Sequence, residues 1–312
     1  MNESASRTEE FDGRTGRISY RVWEPSAPGR LVLLVHGYGE HIGRYEHVAG
    51  LLAARGAAVY GPDHVGHGRS AGERVVVADF EAVVDDLHSV ADRARAEHPG
   101  LPLVLIGHSM GGTIAARYAQ RYARELAGLV LSAPAVGRFD VVDQLLALPE
   151  IPDIPIDVNA LSRDPAVGAA YAADDLVWHG PFQRPTLEAW RRAVATIAAA
   201  PPLGDLPVLW VHGEDDQLVP LSGSRPGTER LGATDLAERI YPGARHEVFN
   251  EINADEVLAE VAAFVDRVTA GPHGGERDRA APAEGSAATS RDLRPAYLVL
   301  VAMARPGQPD RG

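Results

Sequence analysis

The sequence predicts an α/β fold: a mostly parallel central sheet flanked by helices, with a helical cap inserted in its second half. Three observations carry that expectation. Apolar runs of four to six residues at 31–35, 101–106, 129–132 and 207–211 are nearly unbroken, as strands covered on both faces are. Segments with apolar residues at helical spacing stand between them, and strands alternating with helices build a parallel sheet through right-handed crossovers. At 137–204 the rhythm stops in a stretch holding Pro149, Pro152, Pro155, Pro165, Pro181 and Pro185. An insertion there, just after a sheet strand, sits over the strand ends where open α/β sheets bind ligands.

Taken in order, residues 1–14 are polar and acidic and read as a disordered N-terminus. Residues 17–24 (RISYRVWE) alternate in polarity, as a half-exposed antiparallel strand does. The run 31–35 (LVLLV) ends in His36-Gly37-Tyr38-Gly39-Glu40-His41, and a helix over 45–55 and a short strand over 57–60 follow. After the loop 61–70 (GPDHVGHGRS), a helix over 80–97 presents Val83, Val84, Leu87, Val90 and Ala94 as one stripe. The strand 101–106 runs into Gly107-His108-Ser109-Met110-Gly111-Gly112 and a further helix, and 129–132 is the next strand. Two cap helices are expected, over 139–148 and 186–199. Strands at 207–211 and 239–241 and a helix over 254–269 complete a domain spanning 15–270, with the cap at 137–204. From Gly271 the composition turns to Gly, Pro, Ala, Arg, Asp and Ser, the mark of a disordered C-terminal tail over 271–312, in which the apolar island 296–301 has no assignable role.

A chain of 312 residues that is 45% hydrophobic can build one large core with an insertion. It holds no cysteine, which excludes a disulfide framework, a thiolate metal site and a cysteine nucleophile. All its basic residues are arginine, which excludes a P-loop lysine and Schiff-base chemistry. A formal net charge of −13 argues against a nucleic-acid partner. No apolar run approaches the roughly 20 residues of a membrane-spanning helix. The first residues lack the basic-then-apolar pattern of a secretion signal, so a cytoplasmic protein is expected.

The chemistry centres on Ser109. Strand, G-x-S-x-G and helix together form a nucleophile elbow, a strained turn that lifts one serine hydroxyl above the sheet edge. A serine hydroxyl needs a base to take its proton, and the base needs a carboxylate to fix its tautomer and stabilise its cation. Behind such an elbow the order along the chain is Ser, acid, His. The acid belongs to Glu214-Asp215-Asp216, just past a strand end; Asp216 is the natural choice as the fourth residue of a G-x-x-D turn, with Asp215 its competitor. His246, after a strand and a Pro-Gly turn and before the last helix, stands where the base is required, whereas His212 reads as a structural hydrogen bonder. Backbone N–H donors for the oxyanion are expected from Met110 and from Tyr38. Two rival motifs fail. Gly37-x-Gly39 resembles a dinucleotide-binding start, but its third glycine, Gly43, is one place too far. Asp63, His64 and His67 have metal-ligand types, yet the glycines around them predict a structured turn, so neither metal nor cofactor is expected.

Several stretches together resemble the monoacylglycerol lipase family, in its bacterial branch, of the serine α/β-hydrolase superfamily. They are HGYGEHIGRYEHVA (36–49), GPDHVGHGRSAGERV (61–75), GHSMGG (107–112), LSAPAV (131–136), SRDP (162–165), HGEDDQLVP (212–220) and GARHEVFNE (243–251). The G-E-H-x-x-R-Y and D-H-x-G-H-G-x-S boxes are far more specific than G-x-S-x-G. The resemblance implies an α/β-hydrolase fold and a cofactor-free esterase acting on one acyl chain linked to glycerol. It also implies that Glu40 and Arg44 lie near the glycerol head, either as its polar contacts or as an internal ion pair holding the oxyanion loop. The family's cap is apolar inside and admits the acyl chain; the amphipathic stretch 139–148 suits that role and a transient contact with a lipid surface. Two departures stand out: a short cap between 137 and 162, and Phe249 where vertebrate members carry a polar histidine. A lysophospholipase or general carboxylesterase would use the same triad, and a non-catalytic ligand receptor would share the fold.

Overall fold

Alternate residues of the apolar runs point to opposite faces of one sheet, and both faces are covered. On β3 (Arg30–Val35), Leu31, Leu33 and Val35 join one core while Val32 and Leu34 join the other. The same division holds on β5 (Leu103–His108), β6 (Gly128–Ser132) and β7 (Val208–Gly213), where Trp210 faces one core and Leu209 and Val211 the other. In the computed structural model, which describes residues 6–138 and 140–270, these strands are joined by β1 (Ser6–Asp12), β2 (Arg17–Trp23), β4 (Ala57–Pro62) and β8 (Leu236–Tyr241). The spatial order is β1-β2-β4-β3-β5-β6-β7-β8, antiparallel at β1–β2 and β2–β4 and parallel throughout the rest.

Helices α1 (Glu46–Ala54) and α8 (Ala254–Thr269) cover one face. On the other lie α2 (Phe80–Glu97), α3 (Met110–Tyr122) and α6 (Arg184–Ala199). The amphipathic stripe read in 80–97 is buried as expected, and Asp79 caps that helix by accepting the Glu81 N–H. Between β6 and β7 lie α4 (Asp140–Ala147), α5 (Pro165–Ala173) and α6. The last is fastened into the main core: Trp190 donates to Thr113 Oγ1 at 3.0 Å, and Thr186 Oγ1 donates to the Val75 carbonyl at 2.8 Å. Among the described residues no helix is long and apolar enough to cross a membrane.

The structure corrects the reading of the N-terminus at residues 6–12, which form an edge strand. Their alternation went unseen because Phe11, packed edge-on against Tyr20, is the one large apolar side chain among them. Charged pairs do the rest, with Arg7 bridging Glu9 and Glu24, and an edge strand built this way resists pairing with other chains. Helix α5 was also missed, although its start is a clear signal: Asp164 caps the Ala166 N–H and Pro165 opens the first turn. Helix α7 (Leu221–Arg230) forms despite Gly223, Gly227 and an internal Pro226, so packing overrides propensity there. Strand β8 begins three residues earlier than expected because its residues are only half-buried. Residues 1–5, Phe139, the tail 271–312 and its island 296–301 lie outside the described residues.

Candidate active site

Ser109 occupies the turn between β5 and α3 with φ 54° and ψ −119°, a conformation costing roughly 1–3 kcal/mol for a residue with a Cβ. Its neighbours hold it there. Its N–H donates to the Ser132 carbonyl at 2.9 Å, and its own carbonyl accepts from Gly112 at 2.9 Å and Ala135 at 3.1 Å. Gly111 lets α3 approach β3 so closely that a Cβ there would collide with the Val35 carbonyl oxygen. The turn therefore rises at the carboxyl edge of the parallel strands, where such sheets bind ligands.

The acid and base expected from the sequence are brought together across the same edge. His246 Nδ1 lies 2.8 Å from Asp216 Oδ2, and both residues are buried. Asp216 is held from four sides: Oδ1 accepts the Leu218 and Val219 N–H groups at 2.9 Å each, and Oδ2 also faces His212 Nε2 at 3.2 Å. Burial works against its charge, but His246 and His212 outweigh it and hold the carboxyl well below its ordinary range. For His246, burial disfavours the cation, yet Asp216 outweighs that and keeps the imidazole above its ordinary value. Asp215, the competitor, is exposed, and its backbone N–H is bound to Ala244. His212 is the structural bonder it was read as: its Nδ1 accepts from Trp210 Nε1 at 3.1 Å, and Nε2 donates to the Val219 carbonyl at 2.8 Å. The imidazole of His246 packs on His108, the neighbour of Ser109, with ring centroids 4.7 Å apart.

Met110 follows the serine directly, and Tyr38 follows Gly37 in the loop after β3. A Cβ on Gly37 would stand 3.2 Å from Ser109 Cβ, so the loop after β3 passes directly over the elbow. His36 Nδ1 donates to the Gly37 carbonyl at 2.8 Å, and His36 Nε2 accepts the His64 N–H at 3.1 Å. A trans peptide points its N–H away from its C=O, so anchoring the Gly37 carbonyl aims the Tyr38 N–H the opposite way. Among the described residues, neither the Tyr38 nor the Met110 N–H meets a protein acceptor. The Asp63 and His64 box supports this loop: Asp63 gives its oxygens to the Ile42 and Arg69 N–H groups at 2.8 Å each, and His64 Nε2 donates to the His36 carbonyl.

Of the two readings of Glu40 and Arg44, the hydrogen bonds favour the internal pair. Glu40 Oε1 accepts from Gly37 N–H at 2.6 Å and the Tyr45 hydroxyl at 2.7 Å, and Oε2 meets Arg44 Nη1 at 2.6 Å. Arg44 then reaches Glu247, 2.7 Å from Oε1 and 2.8 Å from Oε2, a residue that sequence reasoning passed over. The signal was a charge directly after His246 and before Val248 and Phe249, both buried. Also unforeseen is a strap from α5 toward α6 that grips the same loop. Trp178 N–H donates to the Gly39 carbonyl at 2.7 Å, His41 Nε2 meets Asp174 at 2.8 Å, and Phe182 stacks on Tyr38.

The chain is similar in sequence and in fold to known proteins. The family described as Serine aminopeptidase, S33 matches residues 26–253. A protein named Monoacylglycerol lipase from Mycolicibacterium smegmatis is 41% identical over 84% of this chain and 98% of its own length. The human Monoglyceride lipase is 35% identical over 80% of this chain and 87% of its own. Among solved structures, the Paleococcus ferrophilus monoacylglycerol lipase superposes with a TM-score of 0.68 at 26% identity, covering 85% of this chain and 99% of that one. With a strained serine at an elbow and a buried carboxylate on its histidine, the chain belongs to the monoacylglycerol lipase family of serine α/β-hydrolases.

Proposed function

We propose that this protein hydrolyses monoacylglycerols to glycerol and free fatty acid through an acyl-Ser109 intermediate. The observation that carries the reading is the buried His246–Asp216 pair beside a strained Ser109, in a chain akin to monoacylglycerol lipases. In this mechanism His246 Nε2 takes the Ser109 proton as Oγ attacks the ester carbonyl, and Asp216 stabilises the imidazolium. The Tyr38 and Met110 N–H groups receive the oxyanion. Collapse of the tetrahedral intermediate breaks the ester bond, and His246 returns its proton to the departing glycerol oxygen. Water, activated by the same imidazole, then releases the fatty acid. Glu40 and Arg44 act here by holding the oxyanion loop rather than by grasping glycerol. A cytoplasmic protein that meets its substrate at lipid surfaces through α4 fits this reading.

Two measurements test it. A fluorophosphonate probe should label Ser109 in folded protein; absence of labelling refutes a serine hydrolase of any kind. Second, kcat/KM is compared for monoacylglycerol, diacylglycerol, lysophosphatidylcholine, short p-nitrophenyl esters and an aminoacyl p-nitroanilide. Monoacylglycerol should lead. A clear win for the lysophospholipid, the short esters or the anilide would reassign the substrate while leaving the chemistry intact.

A further inference from the structure

Arg44 is the meeting point of two loops that the reaction must keep in register. On one side it binds Glu40, whose other oxygen receives the Gly37 N–H of the oxyanion loop. On the other it binds both oxygens of Glu247, the residue that follows His246. The side chains of Glu40, Arg44 and Glu247 are 5%, 11% and 6% exposed, so the two carboxylates share one guanidinium away from water. Burial would neutralise Glu247, but Arg44 overcomes it and keeps the carboxyl well below its ordinary range. The amide of Asn250 adds a donor to Glu247 Oε2 at 2.8 Å, and the Glu247 N–H is bound to the Leu161 carbonyl at 2.8 Å. Residue 247 is thereby fixed at both its side chain and its backbone, one peptide from the base.

A buried ion pair is weak evidence of stability, because desolvation offsets most of the attraction, and well-packed apolar residues often replace it at no loss. Geometry is what this one supplies. Among the described residues it is the polar link between residues 246–247 and the loop at 37–44; the next one joins their flanks, from His47 Nε2 to the Phe249 carbonyl at 3.0 Å. We propose that Glu247 is a positioning residue for the ester hydrolysis proposed above: through Arg44 it fastens the His246 loop to the oxyanion loop, so that base and oxyanion donors keep one spacing. The inference rests on the esterase reading. The three groups also leave one net negative charge near His246, on which the imidazolium formed in the reaction can draw; the other titratable groups around that ring are Asp216 and His108.

The test uses the full-length protein with p-nitrophenyl butyrate. Glu247→Gln keeps shape and removes the charge. Glu247→Leu removes the charge and both hydrogen bonds to Arg44 while leaving Arg44 paired with Glu40, so that no ion is left buried without its partner if Glu247→Gln folds poorly. A misplacement near 1 Å at reacting groups costs about 100-fold, so kcat should fall by roughly 10- to 100-fold in both variants with KM little changed. The acid limb of the kcat/KM profile should move to lower pH in Glu247→Gln, since a negative charge near His246 has gone; a merely structural pair would lower Tm without moving that limb. Wild-type kcat and an unmoved limb in either folded variant overturn the proposal. An inactive wild-type enzyme would instead sink the esterase reading itself, and this inference with it.

Discussion

Replacing Asp216 by asparagine probes the triad at a member with no exposed side-chain surface. Its Oδ1 lies between two backbone donors, Leu218 and Val219, each at 2.9 Å. An asparagine must keep its single oxygen there, because an NH2 group would face two N–H groups. Its NH2 then faces His246 Nδ1, which must turn from donor to acceptor. The imidazole proton moves to Nε2, where it blocks acceptance of the Ser109 proton. This tautomer error leaves the geometry intact yet costs about 10⁴-fold in kcat, or about 5 kcal/mol of transition-state stabilisation. Asp215→Asn, at an exposed neighbour, should stay within about twofold, as surface changes do. Steady-state hydrolysis of monoacylglycerol by the two purified variants decides the matter. If Asp216→Asn kept more than about a tenth of wild-type kcat, or Asp215→Asn were the worse, the acid would have to be reassigned.

Other outcomes follow from the same geometry. Ser109→Ala should lose activity by several orders of magnitude with Tm little changed, read by hydrolysis and by thermal melting. Because Asp216 raises His246 above its ordinary 6.5 and the base must be neutral, the acid limb of kcat/KM should fall above pH 6.5; a limb well below that value would contradict the pairing. Gly111→Ala overpacks α3 against β3 and should cost about 3 kcal/mol, seen as a Tm lowered by roughly 6–12 °C. Arg184 donates to the Leu146 and Leu148 carbonyls at the end of α4, so Arg184→Ala should speed proteolytic cleavage near residues 146–150 without slowing turnover of short esters.

Much of this molecule was legible locally. Strand runs with both faces apolar, the stripe of α2, the elbow at Ser109 and the order of Ser, acid and His are patterns carried by neighbouring residues, and the folded chain keeps each of them. Hydrophobic period and steric need act over a few residues, so they can be read without knowing what lies opposite. Tertiary structure decided what depends on partners far along the chain. Strand β1 is made a strand by β2, and α7 holds its helix despite Pro226 because Ser224 bonds the Pro134 carbonyl. Arg44 and Glu247 stand 203 positions apart, and His41 and Asp174 stand 133 apart. Charge alone names no partner. The sequence by itself singled out Ser109, Asp216 and His246 and their order; only the folded chain decided that Asp216 and His246 meet, that Glu40 binds the Gly37 N–H and Arg44, and that Glu247 joins them. The physical reason is that ion pairs form between whichever charges the fold buries together, a fact no local pattern contains.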